Sequence, residues 1–301
     1  MSLIDKEITS PSAIIEQKYI LNFISPIAIH GVHNQKVAEF RPSSVKGVLR
    51  YFWRTLQDEG NHKNLLKKEE AFFGGATTEK KRKSPLSLLV NEMVQETKGI
   101  NILPHKNTRF KVAALSPSKK VTLKMRMNKQ NQAKLKEYDL YMKYFLHIAG
   151  MGQRARRGFG SCQWEEHQWK TPNDFVHSLH QVLKELQMDE YYHVYIDSPS
   201  LLKRKNQINT SHPVLKEIWI GEGKESVQQV LKAIGYASHY GNVTGSLGSA
   251  KPRKASSLWV TIRKIGNKYY PIITEVQTKE RIKPVYEKER SCFLQELGVI
   301  L

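Results

Sequence analysis

Apolar residues change period several times along the first half of the chain, and each change marks an element. Residues 18–24 (KYILNFI) are apolar at nearly every position apart from Asn22, as suits a strand covered on both faces. From Pro42 onward Val45, Val48, Leu49, Phe52 and Leu56 recur at the spacing of one helical face, and Gly60 ends the pattern. Residues 86–90 predict a short strand. Residues 108–115 and 120–127 alternate apolar with basic positions about Pro117-Ser118, which predicts a hairpin with a core face and a uniformly basic face. A second helix over 135–149 turns Tyr138, Tyr141, Met142, Phe145 and Ile148 inward and stops at Gly150, and a last strand over 161–165 follows.

The order strand, helix, two strands, helix, strand is the ferredoxin-like plan. Much of it recurs further on. Strands are predicted at 191–197 and 215–220, a helix at 226–238, a hairpin at 256–264 and 268–276 around Gly266-Asn267, and a terminal helix at 279–297. Pro271 predicts an edge position for the second strand of that hairpin. The expectation is an α+β chain of two ferredoxin-like (RRM-like, βαββαβ) domains in tandem, 1–170 and 171–301, as its 301 residues also suggest.

Charge narrows the partner. With 48 Lys+Arg against 28 Asp+Glu, the formal net charge is +20, which favours a polyanion over a small neutral substrate. No apolar run approaches the roughly 18 residues that would span a bilayer, and the N-terminal residues lack the pattern of a secretory signal, so no membrane partner and a cytoplasmic location are expected. Cys162 and Cys292 lie far apart without CxxC spacing, so neither a disulfide framework nor a cysteine zinc site is implied.

The basic residues concentrate in three places. Residues 150–161 (GMGQRARRGFGS) set four glycines around Arg154, Arg156 and Arg157 with no acid among them, so bare backbone amides and guanidinium forks can approach phosphates together. Gly150 to Ala155 formally fits GxGxxA, but it follows a helix instead of a strand, which rules out a dinucleotide site; no phosphate loop of the GxxxxGK[ST] type occurs either. On the first predicted helix, Lys46, Arg50 and Arg54 lie four apart and share one stripe, with Arg41 just before it and no acid within 41–54 to pair with them. The third place is the glycine- and serine-rich stretch 241–254, ending in Lys251, Arg253 and Lys254. The run KKRK at 80–83 reads as an exposed loop.

Histidines are the candidates for chemistry. His30 and His33 follow the first strand, and His177 and His180 lie one helical turn apart, but no acidic or cysteine set completes either pair at zinc spacing. No metal and no other cofactor is therefore expected. A histidine could still serve as acid or base in metal-free RNA cleavage through the 2′-hydroxyl, which keeps His30 and His33 open as an alternative.

Taken in order, RPSSVKGVLRYFWR at 41–54, EEAFFGG at 69–75, GQRARRGFGS at 152–161 and RKASSLWVTI at 253–262 resemble the signatures of the RAMP superfamily of CRISPR effector proteins. Within it they are most similar to the family of first subunits of the type III-B Cmr complex. The resemblance implies a non-catalytic subunit near the crRNA 3′ end, with crRNA or target RNA and the other Cmr subunits as partners. Carried over position by position, it implies RNA contacts at Arg41, Lys46, Arg50, Arg54, Arg154, Arg156, Arg157 and Arg253, to which the charge pattern adds Lys254. A metal-independent crRNA-processing endoribonuclease and a mainly architectural subunit are the alternatives.

Overall fold

A computed structural model describes residues 13–32, 34–76, 81–106, 111–279 and 284–300. Strand β1 (Ile14–Phe23) turns Tyr19, Leu21 and Phe23 inward and Lys18, Ile20 and Asn22 outward, the alternation of a sheet covered on one face. After it come α1 (Pro42–Thr55), α2 (His62–Phe73), β2 (Ser87–Val90), β3 (Lys120–Asn128), α3 (Leu135–Ile148) and β4 (Cys162–Trp164). The four strands pair antiparallel in the order β2–β3–β1–β4. Val45, Leu49 and Phe52 of α1 and Tyr138, Met142 and Phe145 of α3 join the inward residues of β1 in one core.

The second half runs α4 (Pro172–Glu185), β5 (Tyr192–Val194), β6 (Ser200–Arg204), β7 (Val214–Ile220), α5 (Val227–Tyr240), β8 (Leu258–Ile265), β9 (Lys268–Gln277) and α6 (Pro284–Glu296). Its sheet is antiparallel in the order β8–β9–β7–β6–β5. Both faces are covered. Trp219, Val260, Ile262 and Ile273 pack on α5 and α6, whereas Leu215, Ile218, Trp259, Ile272 and Val276 share the core of α1, α3 and α4. The layers are therefore sheet, helices, sheet, helices, and the helices of the first half are sandwiched between the two sheets.

Five expectations change, the first being that β1, read as covered on both faces, is covered on one. Strand β3 pairs with β1 and β2, not with residues 108–115; within that stretch Val112-Ala113 pairs with Gly99-Ile100, and residues 107–110 lie outside the described ones. The basic sheet face is not uniform: Glu16, opposite Arg126 on β1, bonds Arg126 at 2.5 Å, Lys124 at 3.5 Å and Lys18 at 3.8 Å. Pro271 lies on β9, an interior strand, and is tolerated because β7 runs out beside it: the last β7–β9 pair is Ile220 with Ile272. Finally, β6, which precedes β7, occupies the sheet position beside it that a strand following the last helix would hold in a strict βαββαβ order. The hairpin of β8 and β9 forms as expected, with Ile265 paired to Lys268 and Gly266 at φ +57° in the two-residue turn.

Candidate nucleic-acid interface

Helix α1 displays its cations as its spacing predicts, but a neighbouring helix answers them. Arg50 Nη2 lies 2.6 Å from Glu69 Oε1, and Arg54 grips both oxygens of the same carboxylate at 2.5 and 2.7 Å. Glu69 belongs to α2, and its side chain is only 4 % exposed. Burial alone would raise its pKa, yet the hydrogen bonds from Arg54 and Arg50 outweigh burial and hold it below the ordinary carboxylate value. The absence of acids within 41–54 thus does not leave the stripe unpaired. Lys46 donates to Ser84 Oγ at 2.6 Å and to the Leu86 carbonyl at 2.9 Å, tying the entry of β2 to α1; burial, then the charge of Arg50, lowers its pKa. Arg41 bonds the His30 carbonyl at 3.1 Å and meets Glu39 at 3.2 Å.

The glycine loop lies where the two halves meet. The Gly158 amide donates to the Val260 carbonyl at 2.8 Å, and a Cβ there would come within 2.6 Å of Ile234 while the backbone holds φ +82°. Gly160, at φ +70°, lies so close to the Met151 carbonyl that a Cβ would meet its oxygen at 1.7 Å. Phe159 enters the core of α5, α6 and β8. Ser161 Oγ accepts from the Ile262 amide at 2.9 Å, and Ser25 Oγ donates to the Gly158 carbonyl at 2.6 Å. Glycine is needed at 158 and 160 because neighbouring atoms leave no room for a Cβ at these positive-φ positions.

Its three arginines diverge. Arg157 turns into the second half, where it donates to the carbonyls of Arg156, Leu258 and Leu247. Burial first, then the charges of Arg154 and Arg156, push its pKa down to about 10, which leaves it charged at neutral pH. Arg156 lies over the Trp259 ring at 4.4 Å and over Tyr51 at 5.6 Å, and bonds the Ser256 carbonyl. Arg154, in the left-handed region at φ 56°, has a buried Nε with no hydrogen-bond partner.

Arg156 opens onto a cleft of about 700 Å³ between α1 and the chain entering β8. Tyr51, Ser246, Lys254, Ser256, Gln277 and Tyr286 are among its lining residues, and among the described residues no carboxylate lines it. Arg253 and Lys254 are exposed and pair with Ser249-Ala250 in a two-residue ladder, which places Lys254 at the rim. Arg156 and Lys254, 98 positions apart, are the two sequence-derived candidates that share one cavity; Tyr51 joins them. Trp259 was missed as a site residue, since an apolar strand hides a ring that supports a cation.

His30 is held at both ring nitrogens, Nε2 at 2.9 Å from the Ala113 carbonyl and Nδ1 at 3.4 Å from Gln153 Nε2. His33 lies outside the described residues, as does Lys80 of the KKRK run. Among the described residues no group of three or more His, Cys, Asp or Glu is placed to hold a metal ion, and no helix is long and apolar enough to cross a membrane.

Residues 20–163, from β1 through β4 and the glycine loop, match the model of the RAMP superfamily. Over that span the chain is similar to the RAMP superfamily. Beyond it, the chain shares its fold with Cmr1 from Pyrococcus furiosus, a crystal structure of the apo form, at 16 % identity over 94 % of this chain and 97 % of that one, TM-score 0.59. A chain of the type III-B Cmr-beta complex bound to cognate target RNA, solved by cryo-EM, matches at 13 % identity over 95 % and 99 % of the two chains, TM-score 0.58. A comparison with curated proteins found no match. The superfamily model thus ends with the first sheet, while the fold likeness to these structures continues through the second.

Proposed function

We propose that this chain is a RAMP-superfamily protein and an RNA-binding subunit of a type III-B CRISPR effector assembly, holding crRNA or target RNA near the crRNA 3′ end without cutting it. The observation that carries the proposal is the cleft around Arg156. A guanidinium lies over two rings and is bonded to a carbonyl, not to an acid; Lys254 stands at the rim, and among the described residues the walls present no carboxylate. Such a surface attracts phosphates and offers rings and a planar cation against which an unpaired base can stack. The full-length fold likeness to Cmr1 and to a chain of an RNA-bound Cmr complex supports the assembly and its other subunits as partners.

Each half is read as ferredoxin-like, with units of 1–170 and 171–301. The order β2–β3–β1–β4, with helices between its first and second and its third and fourth strands in sequence, supports this for the first half; for the second, β7–α5–β8–β9–α6 supports it with β6 in the place of the fourth strand. Specificity would come from pairing between guide and target, so the chain should show little base preference.

The test is incubation of the purified chain with labelled single-stranded RNA in EDTA across a salt series, on native and denaturing gels. Binding that falls steeply with salt while the RNA stays intact is expected. Discrete cleavage lost in His30→Ala would replace this proposal with an endoribonuclease, and no binding at low salt would replace it with an architectural subunit.

A further inference from the structure

Helix α5 carries a second aromatic surface, remote in sequence from the glycine loop. Lys232, Tyr236 and Tyr240 recur every four residues and, with His239, are exposed, while Val230, Leu231, Ile234 and Ala237 hold the opposite face in the core. Tyr236 and Tyr240 are 36 % and 59 % exposed; their rings stack 6.1 Å apart at 19°. Lys232 Nζ lies 5.8 Å from the centre of the Tyr236 ring. His239 packs edge-on to Tyr240 at 5.1 Å, and His105, from the segment before β3, lies 5.7 Å from His239 and 6.3 Å from Tyr236. Four rings thus form one continuous surface.

Two details set this surface apart from scattered exposed tyrosines. Gly235 stands in mid-helix, where alanine would favour the helix by about 1 kcal/mol. A Cβ there would meet His105 Nδ1 at 2.5 Å, so the glycine makes the seat on which His105 lies. In addition, His105 Nδ1 and Arg154 Nε are both buried without a hydrogen-bond partner, and the charge of Arg154 reaches His105 strongly enough to help lower its pKa, after burial. Charge decides the class of occupant: neither α5 nor residues 97–106 contain an acid, whereas Lys232, Lys106 and Arg154 flank the rings.

We propose that this α5 surface takes unpaired bases of single-stranded RNA, stacked on Tyr236 and Tyr240, with the adjoining phosphates held by Lys232 and Arg154. Stacked bases need rings that are exposed at one face, and a sugar–phosphate chain needs cations beside them and no acids; both conditions hold here. The proposal rests on RNA binding by the chain, and adds a second contact on a different helix from the Arg156 cleft.

The full chain is tested with a fluorescein-labelled 20-nucleotide single-stranded RNA and with an RNA duplex of the same length. Tyr236→Ala with Tyr240→Ala is expected to weaken single-strand binding about tenfold, with an unchanged salt slope and unchanged duplex binding, because a stacking contact has been removed and no ion pair lost. Tyr236→Phe with Tyr240→Phe should restore it, since phenylalanine keeps the ring. Circular dichroism melting of each variant verifies the fold, which these exposed side chains should leave intact. Wild-type affinity in the double alanine variant, while Arg156→Ala weakens binding, overturns the α5 surface and leaves the cleft standing; absence of binding by the unaltered chain overturns both. Equal weakening in the phenylalanine variant would also overturn stacking.

Discussion

On α1, Arg50 and Arg54 spend their forks on the Glu69 carboxylate, whereas in the glycine loop Arg156 and Arg157 donate to carbonyl oxygens. A cation that donates to a carboxylate is neutralised as seen from a phosphate more than a few ångströms away. One that donates to a carbonyl keeps its whole charge. Two basic stretches that both lack acids of their own therefore offer different fields to an RNA strand: α1 presents an ion pair with exposed edges, and the loop presents net positive charge fixed on a rigid joint. The loop also has the larger structural duty, because Gly158 and Arg157 join the two halves there and Gly160 closes the loop onto Met151 and Pro26.

That duty gives the largest expected effect. Gly160→Ala places a methyl against the Met151 carbonyl at a backbone angle that only glycine adopts freely, and neither backbone segment can move without breaking the Met151–Gly160 and Gly160–Pro26 bonds of 3.0 and 2.9 Å. The variant should be lost from the soluble fraction or melt far below the parent. Gly47→Ala on α1, where a Cβ meets nothing within 4 Å, should melt as the parent does or slightly higher. Equal melting of the two variants would break the contrast between joint and helix.

Stability against pH sharpens the same comparison. Arg157→Ala strips donors from three carbonyls in a buried place and should cost about 2–4 kcal/mol in urea unfolding. Glu69→Gln should cost about 1–2 kcal/mol, since both forks are a third or more exposed and can turn to water. The pH dependence separates them. Glu69 has a native pKa below its unfolded value of 4.5, so the stability it contributes is complete above 4.5 and is lost as pH falls through the native value. Glu69→Gln should flatten the acid limb of the stability curve, by at most about 1.4 kcal/mol per pH unit for one proton. Arg157→Ala should lower the curve and leave that limb as steep as in the parent. If Glu69→Gln leaves the limb unchanged, the carboxylate does not carry the pairing assigned to it.

The sequence makes α1 legible because one face repeats cleanly, and Trp53, buried among Phe72, Phe73 and Tyr141, behaves as the core ring its position implies. Helix α2 is hard to read for the same reason that α1 was misjudged. Its inward positions include Glu69 and Glu70, each 3 % exposed, so its apolar stripe is broken by acids where burial occurs. Only the fold shows that Glu69 goes inward to meet Arg50 and Arg54. The Thr171 and Asp174 capping box at the start of α4 was readable, and Thr-Pro-x-Asp before an apolar stripe is the signal that would have found that helix. The cleft is beyond any local pattern, because Tyr51, Arg156 and Lys254 converge from α1, the glycine loop and the chain before β8. The RAMP motifs mark those stretches without saying which of their cations face one another.

The smallest effect is also the one that tells the two regions apart most directly, in the salt dependence of RNA binding. Each cation that meets a phosphate of a single strand contributes about 0.7 to the slope of log affinity against log salt. Arg156→Ala should lose about one such contribution, together with several-fold in affinity near 0.1 M salt. Glu69→Gln should do the reverse: it releases Arg50 and Arg54 from their counter-charge, so RNA binding should tighten and the slope steepen by up to about 1.4, twice the contribution of one cation. Opposite signs from two substitutions on adjoining elements would be difficult to obtain by disturbing the fold, since both variants lose stability. A slope unmoved by Glu69→Gln would mean that the α1 forks lie off the RNA path, leaving the loop, with its carbonyl-bonded arginines, as the region that meets the strand.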